Sequence, residues 1–145
     1  MKNNVIKLSL VGVFLISFLL PALGEGEAYR TLNSGKEGQE IEIKEHLVAG
    51  KLNIIDFYSE FCPPCKAIAP MLEELVTKDP GVVVGKVDIN RPGGRGIDWN
   101  SPVAQQYKLR SIPYFKIYDA QGKLVSQGQE AKQQLIKMLE KNNIQ

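Results

Sequence analysis

The run Leu52-Asn53-Ile54-Ile55-Asp56-Phe57-Tyr58-Ser59-Glu60-Phe61-Cys62-Pro63-Pro64-Cys65-Lys66 decides how the rest of the chain is read. Its first seven residues are nearly all apolar, the pattern of a strand buried on both faces. From Pro63 the pattern changes. Ile68, Met71, Leu72, Leu75 and Val76 recur at helical spacing as far as Lys78. The two cysteines are therefore expected at a strand-to-helix junction, and they are the only two in the chain. Spacing of i, i+3 in a helical turn brings two thiols close enough to form a disulfide. The first lies where unpaired N–H groups and the helix dipole favour a thiolate. Cys62 is then the attacking sulfur. Cys65, one turn further and expected to be more buried, resolves the mixed disulfide. Proline suits the first helical turn, where its missing N–H would have no partner, and two prolines stiffen the link between the sulfurs.

Other uses of two cysteines fit less well. Zinc needs about four ligands, and only His46 remains to join them. Haem attachment needs His after the second Cys, and that position is Lys66. A structural disulfide closing so short a loop would constrain little of the unfolded chain. A redox centre formed by the Cys62–Cys65 disulfide needs no cofactor and no metal. Asp56 is a carboxyl among core-like neighbours, so it must be protonated or partnered. Lys86, in Val84-Gly85-Lys86-Val87, holds a similar place in the next apolar run. If those strands are adjacent, the pair lies beneath the cysteines, and Asp56 relays a proton to or from Cys65.

Outward from this centre the elements alternate. Ile41 and Ile43 alternate with charges and suggest an edge strand, and Glu45 to Ala49 a short helix. Val82 to Ile89 reads as a second buried strand. Residues 90–102, rich in Gly and Pro, form a loop, and Val103 to Tyr107 a short helix. Ile112 to Tyr118 and Lys123 to Gln127 read as paired strands around the turn Asp119-Ala120-Gln121-Gly122. Gly128 ends the second. Glu130 to Lys141 is an amphipathic helix with Leu135, Ile136 and Leu139 inward. The result is an α/β domain, a mixed sheet flanked by helices on both faces, over residues 39–145.

The N-terminus reads differently. Lys2 and Lys7 precede an apolar run from Leu8 to Leu20, and Ala22-Leu23-Gly24 puts small residues at the −3 and −1 positions of a cleavage site. Residues 1–24 are read as a secretory signal peptide and 25–38 as a flexible leader. The alternative is an uncleaved anchor, for which the apolar run is short against the roughly 20 residues of a span. The whole chain carries 18 Lys+Arg against 16 Asp+Glu. Loss of Lys2 and Lys7 leaves 16 of each, a neutral domain with no footprint for nucleic acid. Export places the protein in the periplasm or otherwise outside the cytosol, where disulfides persist.

The segment from Asp56 to Lys66 resembles the active-site segment of the thioredoxin family. Ala69-Pro70 looks like the family's helix-kinking proline, and Lys86 like its buried lysine. Ser111-Ile112-Pro113 resembles its cis-proline loop, and Gly128 a glycine near its substrate groove. The resemblance covers roughly residues 40–142. It implies a thioredoxin fold and thiol–disulfide exchange with protein substrates. It also implies a cis Pro113 facing the cysteines and strand-like pairing of a substrate to the Ile112 backbone. Phe61, Pro63, Pro64, Ile112, Pro113 and Gly128 are the expected substrate-contact residues. Three features depart from the family pattern. Pro-Pro stands where Gly-Pro is usual, Phe61 and Tyr58 stand where tryptophans are usual, and the loop before Pro113 is longer by about eight residues. That loop carries Arg91, Arg95 and the only tryptophan, Trp99. It is either a tolerated surface insertion or a shaper of partner choice near the cysteines.

Asp56, Lys86 and the Ile before Pro113 make the chain resemble reducing members more than strong oxidants. An exported reductant, expected to be a monomer, implies a membrane electron carrier that recharges the cysteines. It implies substrates that are exported proteins with disulfides, cytochrome c maturation being one family use. An oxidant outside the cytosol and a non-catalytic binding module are the alternatives.

Overall fold

The computed structural model describes residues 28–145. The expected signal peptide lies outside the described residues. Five strands form one mixed sheet: β1 (Tyr29–Thr31), β2 (Leu52–Tyr58), β3 (Val82–Asp88), β4 (Tyr114–Tyr118) and β5 (Leu124–Gln127). Their spatial order is β1-β3-β2-β4-β5. The first two pairings are parallel, and those of β2 with β4 and β4 with β5 are antiparallel. Among the described residues three α-helices accompany them: α1 (Pro63–Lys78), α2 (Pro102–Gln106) and α3 (Gly128–Lys141). Among the described residues no helix is long and apolar enough to cross a membrane.

Alternation along the strands divides the core in two. Ile54, Val82, Val84, Phe115 and Ile117 face α1 and α3, meeting Leu72, Leu75 and Leu135. Ile55, Phe57, Val87 and Ile89 face the other way, against Val103 and Ala104 of α2 and Ile43. Both faces of β2 are thus covered, as its nearly continuous apolar run requires. Within α3, Leu135 and Leu139 point inward as expected, but Ile136 is 43% exposed. A helix this amphipathic buries one stripe, and residue 136 lies about 100° round from 135.

Two expectations are corrected. The segment 25–38 is not a flexible leader throughout. Tyr29, Arg30 and Thr31 pair with Val84, Gly85 and Lys86 of β3, supplying the sheet's edge strand. Asn33 then accepts from the Asp88 N–H and donates to its carbonyl, and Gly38 donates to Asp88 as well. An unpaired β3 edge would leave N–H and C=O groups without partners, and this short strand satisfies them. The second correction concerns Ile41 and Ile43, which form no strand. Residues Ile43–His46 make a 3-10 turn. The Ile41 backbone is satisfied by side chains: its N–H donates to Gln106, and its carbonyl accepts from Gln106 and the Tyr107 hydroxyl. Both isoleucines are buried, which accounts for their apolar pattern without a ladder.

Leu32, just past β1, lies against the backbone of Gly85, where an added Cβ would stand 2.7 Å from Leu32 Cδ1 and 2.9 Å from Cγ. Gly85→Ala is therefore expected to lower stability by about 1–3 kcal/mol in urea denaturation. The double variant with Leu32→Ala should be no less stable than Leu32→Ala alone, because the clash is gone. Independent, additive losses would show that residues 28–38 do not pack on β3.

Candidate active site

β2 delivers the chain to the cysteines through a tight turn. The Ser59 hydroxyl accepts from the Phe61 N–H at 3.1 Å, and the Ser59 carbonyl accepts from the Cys62 N–H at 3.1 Å. Cys62 is extended, at φ −105° and ψ 104°, as the residue before a proline should be. It is the N-cap of α1. Pro63 and Pro64 fill the first two helical positions and bring no N–H. The first free donor is therefore the Cys65 N–H, and it points at Cys62 Sγ over 3.2 Å. Cys62 and Cys65 are joined as a disulfide with Cα atoms 5.3 Å apart. The expected difference in burial is absent: Cys62 is 2% exposed and Cys65 3%. The cis-proline loop closes over the first sulfur and hides it.

That loop is the Ile112–Pro113 peptide, which is cis. The β2–β4 ladder ends at Phe57 and Tyr114, so Ile112 and Pro113 sit just beyond it, level with the turn into α1. The Ile112 carbonyl oxygen lies 3.7 Å from Cys62 Sγ. No hydrogen bond among the described residues engages the Ile112 N–H. Beside this loop is a groove of about 290 Å³ lined by Pro64, Ile112, Pro113, Tyr114, Gly128 and Lys132. Four of the six expected substrate-contact residues thus converge. Phe61 and Pro63 are exposed but do not line the groove. Gly128 opens α3 at φ +59°, and an added Cβ would stand 3.2 Å from the Tyr114 ring. Both the conformation and the close approach call for glycine.

Asp56 lies on the β2 face that α1 covers, cross-strand from Lys86 and from Phe115. It is 1% exposed, and its Oδ1 is buried without a hydrogen-bond partner. Burial pushes its pKa up to about 7, against the opposing pull of Lys86. The expected adjacency of Asp56 and Lys86 is present, but no ion pair joins them among the described residues. The Lys86 ammonium instead stands 4.5 Å from the centroid of the Tyr29 ring and 5.3 Å from that of Tyr58. Such cation–π contacts hold the ammonium near Asp56 without neutralising it. Tyr29 also donates from its hydroxyl to the Ala69 carbonyl of α1 over 3.4 Å. Its own pKa is pushed up to about 12, first by burial and then by Asp56. Tyr29 was not legible as a site residue, because it gains that place only through β1.

Of the arginines in the 90–102 loop, Arg91 is taken up by Asp98 at 2.6 Å, and neither Arg91 nor Arg95 lines the groove beside the cysteines.

The thioredoxin family model matches residues 36–141. Thioredoxin of Chlamydia trachomatis is 38% identical over 97 residues, covering 66% of this chain and 86% of that protein. Thioredoxin H5 of Arabidopsis thaliana is 34% identical over 104 residues, covering 70% and 77%. Among solved structures, a chain in the complex of ferredoxin:thioredoxin reductase with thioredoxin f2 superposes with a TM-score of 0.55 at 26% identity, covering 81% of this chain and 96% of that one. The long form of spinach chloroplast thioredoxin f gives 0.54 at 23% identity, over 81% and 88%.

The carboxyl of Asp56 makes stability depend on pH in a defined sense. Its folded pKa, about 7, lies above its ordinary value of 3.8. The folded state therefore binds the proton more tightly, and nothing is lost below about pH 4, where both states are protonated. Between pH 4 and 8 the oxidised wild type should lose up to roughly 4 kcal/mol from this group. In Asp56→Asn that part of the slope should vanish. Parallel stability–pH curves from urea denaturation would show that Asp56 ionises freely in the fold.

Proposed function

The chain belongs to the thioredoxin family, and on that premise we propose that it works outside the cytosol as a reductant of disulfides in exported proteins. The domain is a thioredoxin-like protein-disulfide oxidoreductase with a Cys62–Cys65 pair.

The chemistry follows from the junction. In the reduced protein the Cys62 thiolate attacks a substrate disulfide, forms a mixed disulfide and releases the first substrate thiolate. Asp56 takes the Cys65 proton, and the Cys65 thiolate attacks Cys62 Sγ. The Cys62–Cys65 bond forms, the second substrate thiolate leaves, and two electrons have passed to the substrate. A carboxyl with a pKa near 7 is matched to that transfer at neutral pH. An extended substrate segment lies in the groove at Pro113, paired to the Ile112 backbone, with Pro64 and Gly128 as its walls and Phe61 and Pro63 at the rim.

One observation carries the direction of electron flow. An N-cap acceptor ordinarily draws on the N–H groups of the second and third helical residues. Here Pro64 removes the second, and only Cys65 donates to Cys62 Sγ. A thiolate with fewer donors is less stabilised, so the reduced form holds its electrons less tightly and the couple is more reducing. Export rests on the signal-like run before Gly24. It removes the protein from cytosolic reductants, so a membrane electron carrier supplies the electrons. One solved relative is in complex with a reductase, and the carrier takes that part here. Maturation of exported cytochromes c, which needs reduced haem-binding cysteines, is a use that suits such a reductant.

Redox titration of Cys62–Cys65 should give a potential near the roughly −270 mV of thioredoxins. A value near the about −120 mV of a strong oxidant would reverse the direction. Cys65→Ser, produced in an export-competent host, should accumulate mixed disulfides through Cys62. Their absence, with no reduction of a protein disulfide by the wild type, would make the domain a binding module. Asp56→Asn should slow resolution of the mixed disulfide at least tenfold near pH 7. An unchanged rate from pH 6 to 9 would remove Asp56 from the proton path.

A further inference from the structure

Another concavity among the described residues, of about 400 Å³, lies between the 90–102 loop and α2, and the last residue of its lining, Arg110, is followed in the chain by Ser111 of the groove. Its walls include Trp99, Asn100, Gln105, Lys108 and Arg110. We propose that it docks an acidic segment of the substrate protein, carboxylates meeting Lys108 and Arg110 and an apolar flank resting on Trp99. The inference rests on the disulfide-exchange reading and adds to it what selects the substrate.

Four observations carry it. First, the cavity is built. Arg91 Nε donates to Asp98 at 2.6 Å, and Asn90 Nδ2 to the Gly96 carbonyl at 2.6 Å. Gln105 Nε2 donates to the Trp99 carbonyl at 2.7 Å, tying the loop to α2. Second, the loop holds the chain's largest apolar side chain 36% exposed on the cavity wall instead of folding it into the core. Third, the cations are unused. Arg91 has its carboxylate, but among the described residues neither Lys108 nor Arg110 meets one. Lys108 also adopts φ +51°, a conformation that glycine or asparagine enters more readily than lysine. An uncommon backbone at a cavity rim is a reason to look for function there. Fourth, Arg110 is followed directly by Ser111-Ile112-Pro113, which lines the groove beside Cys62. Residues 110 and 111 thus join the lining of the cavity to that of the groove along one stretch of chain. The expectation that this loop influences partner choice thus moves from Arg91 and Arg95 to Lys108 and Arg110.

Charge complementarity commits the occupant to a run of Asp or Glu, since two unpaired cations beside an indole face recognise carboxylates next to an apolar group. The pre-reduced full chain is mixed in single-turnover experiments with two disulfide-bridged peptides, alike except for three Glu or three Gln beside the bridge. The half-saturating concentration should be about tenfold lower for the Glu peptide at low ionic strength. The preference should fall below twofold in 0.5 M salt, as screening requires. Lys108→Asn with Arg110→Gln should abolish it, the asparagine being suited to the positive φ. Trp99 is the only tryptophan, so its fluorescence should change when the Glu peptide binds a Cys62→Ser chain. Equal half-saturation for the two peptides, or a preference that survives the double variant, overturns the proposal. A fluorescence response to inorganic phosphate without discrimination between the peptides overturns it too, in favour of a free-anion site. Reduction of uncharged bis(2-hydroxyethyl) disulfide separates the two levels. If the wild type reduces it, failure of the peptide preference concerns docking alone. If it does not, the exchange reading falls and the inference falls with it.

Discussion

A sulfur atom caps the central helix, and the rest of the site is arranged around that fact. α1 begins with two prolines, so its first N–H belongs to Cys65, and that N–H is spent on Cys62 Sγ. The cap that orders the helix is therefore also the group that stabilises the reactive thiolate. Structure and redox potential cannot be varied independently at this junction. Any change that supplies a donor at position 64 strengthens the cap and, in the same act, makes the couple more oxidising. The Ser59 turn and the Ile112 carbonyl complete the enclosure, and the oxidised pair is almost fully shielded from solvent. Substrate access to Cys62 thus depends on the groove beside Pro113 more than on exposure of the sulfur itself.

Beneath the helix the sheet keeps a carboxyl without a hydrogen bond. A direct ion pair with Lys86 would lower the Asp56 pKa and leave its carboxylate too weak a base to take a proton from a thiol. The aromatic rings of Tyr29 and Tyr58 place the ammonium near Asp56 and leave the carboxyl mostly governed by burial. The edge strand consequently has an electrostatic role as well as a pairing role. Tyr29 covers the ammonium, touches the α1 backbone through its hydroxyl and closes the β3 edge, all from a three-residue strand.

How much of this was legible depended on whether the signal was local. β2 and α1 were read to the residue, because a nearly continuous apolar run and a 3.6-residue period need no knowledge of neighbours. Asp56 and Lys86 announced themselves as polar interruptions of apolar runs. Tyr29-Arg30-Thr31 announced nothing, since three residues carry no period and become a strand only against the open edge of β3. Ile41 and Ile43 misled for the opposite reason. They alternate as a strand would, but the Ile41 backbone finds its partners in Gln106 and Tyr107, some 65 residues away. The cavity at Trp99 was half legible: the tryptophan stood out, while its cations come from beyond α2 and reach it only through the turn at Lys108.

These parts divide the work between a shared centre and a private margin. The cap, the buried carboxyl and the cis-proline loop act on any disulfide that reaches them, so they cannot distinguish one substrate from another. Discrimination has to come from contacts outside the reacting atoms, as a difference in affinity between partners. Residues 25–145, with equal numbers of acidic and basic residues, offer little long-range steering. Selection must then be local, from a few unpaired charges held in a fixed place. The cavity between the long loop that follows β3 and the turn after α2 meets that requirement. The loop braces itself with one of its own arginines and exposes its tryptophan, and Lys108 and Arg110, between α2 and the cis-proline, meet no carboxylate among the described residues. Its bracing matters as much as its charge, because a cation on a mobile loop would lose in ordering entropy most of what it gains from a carboxylate.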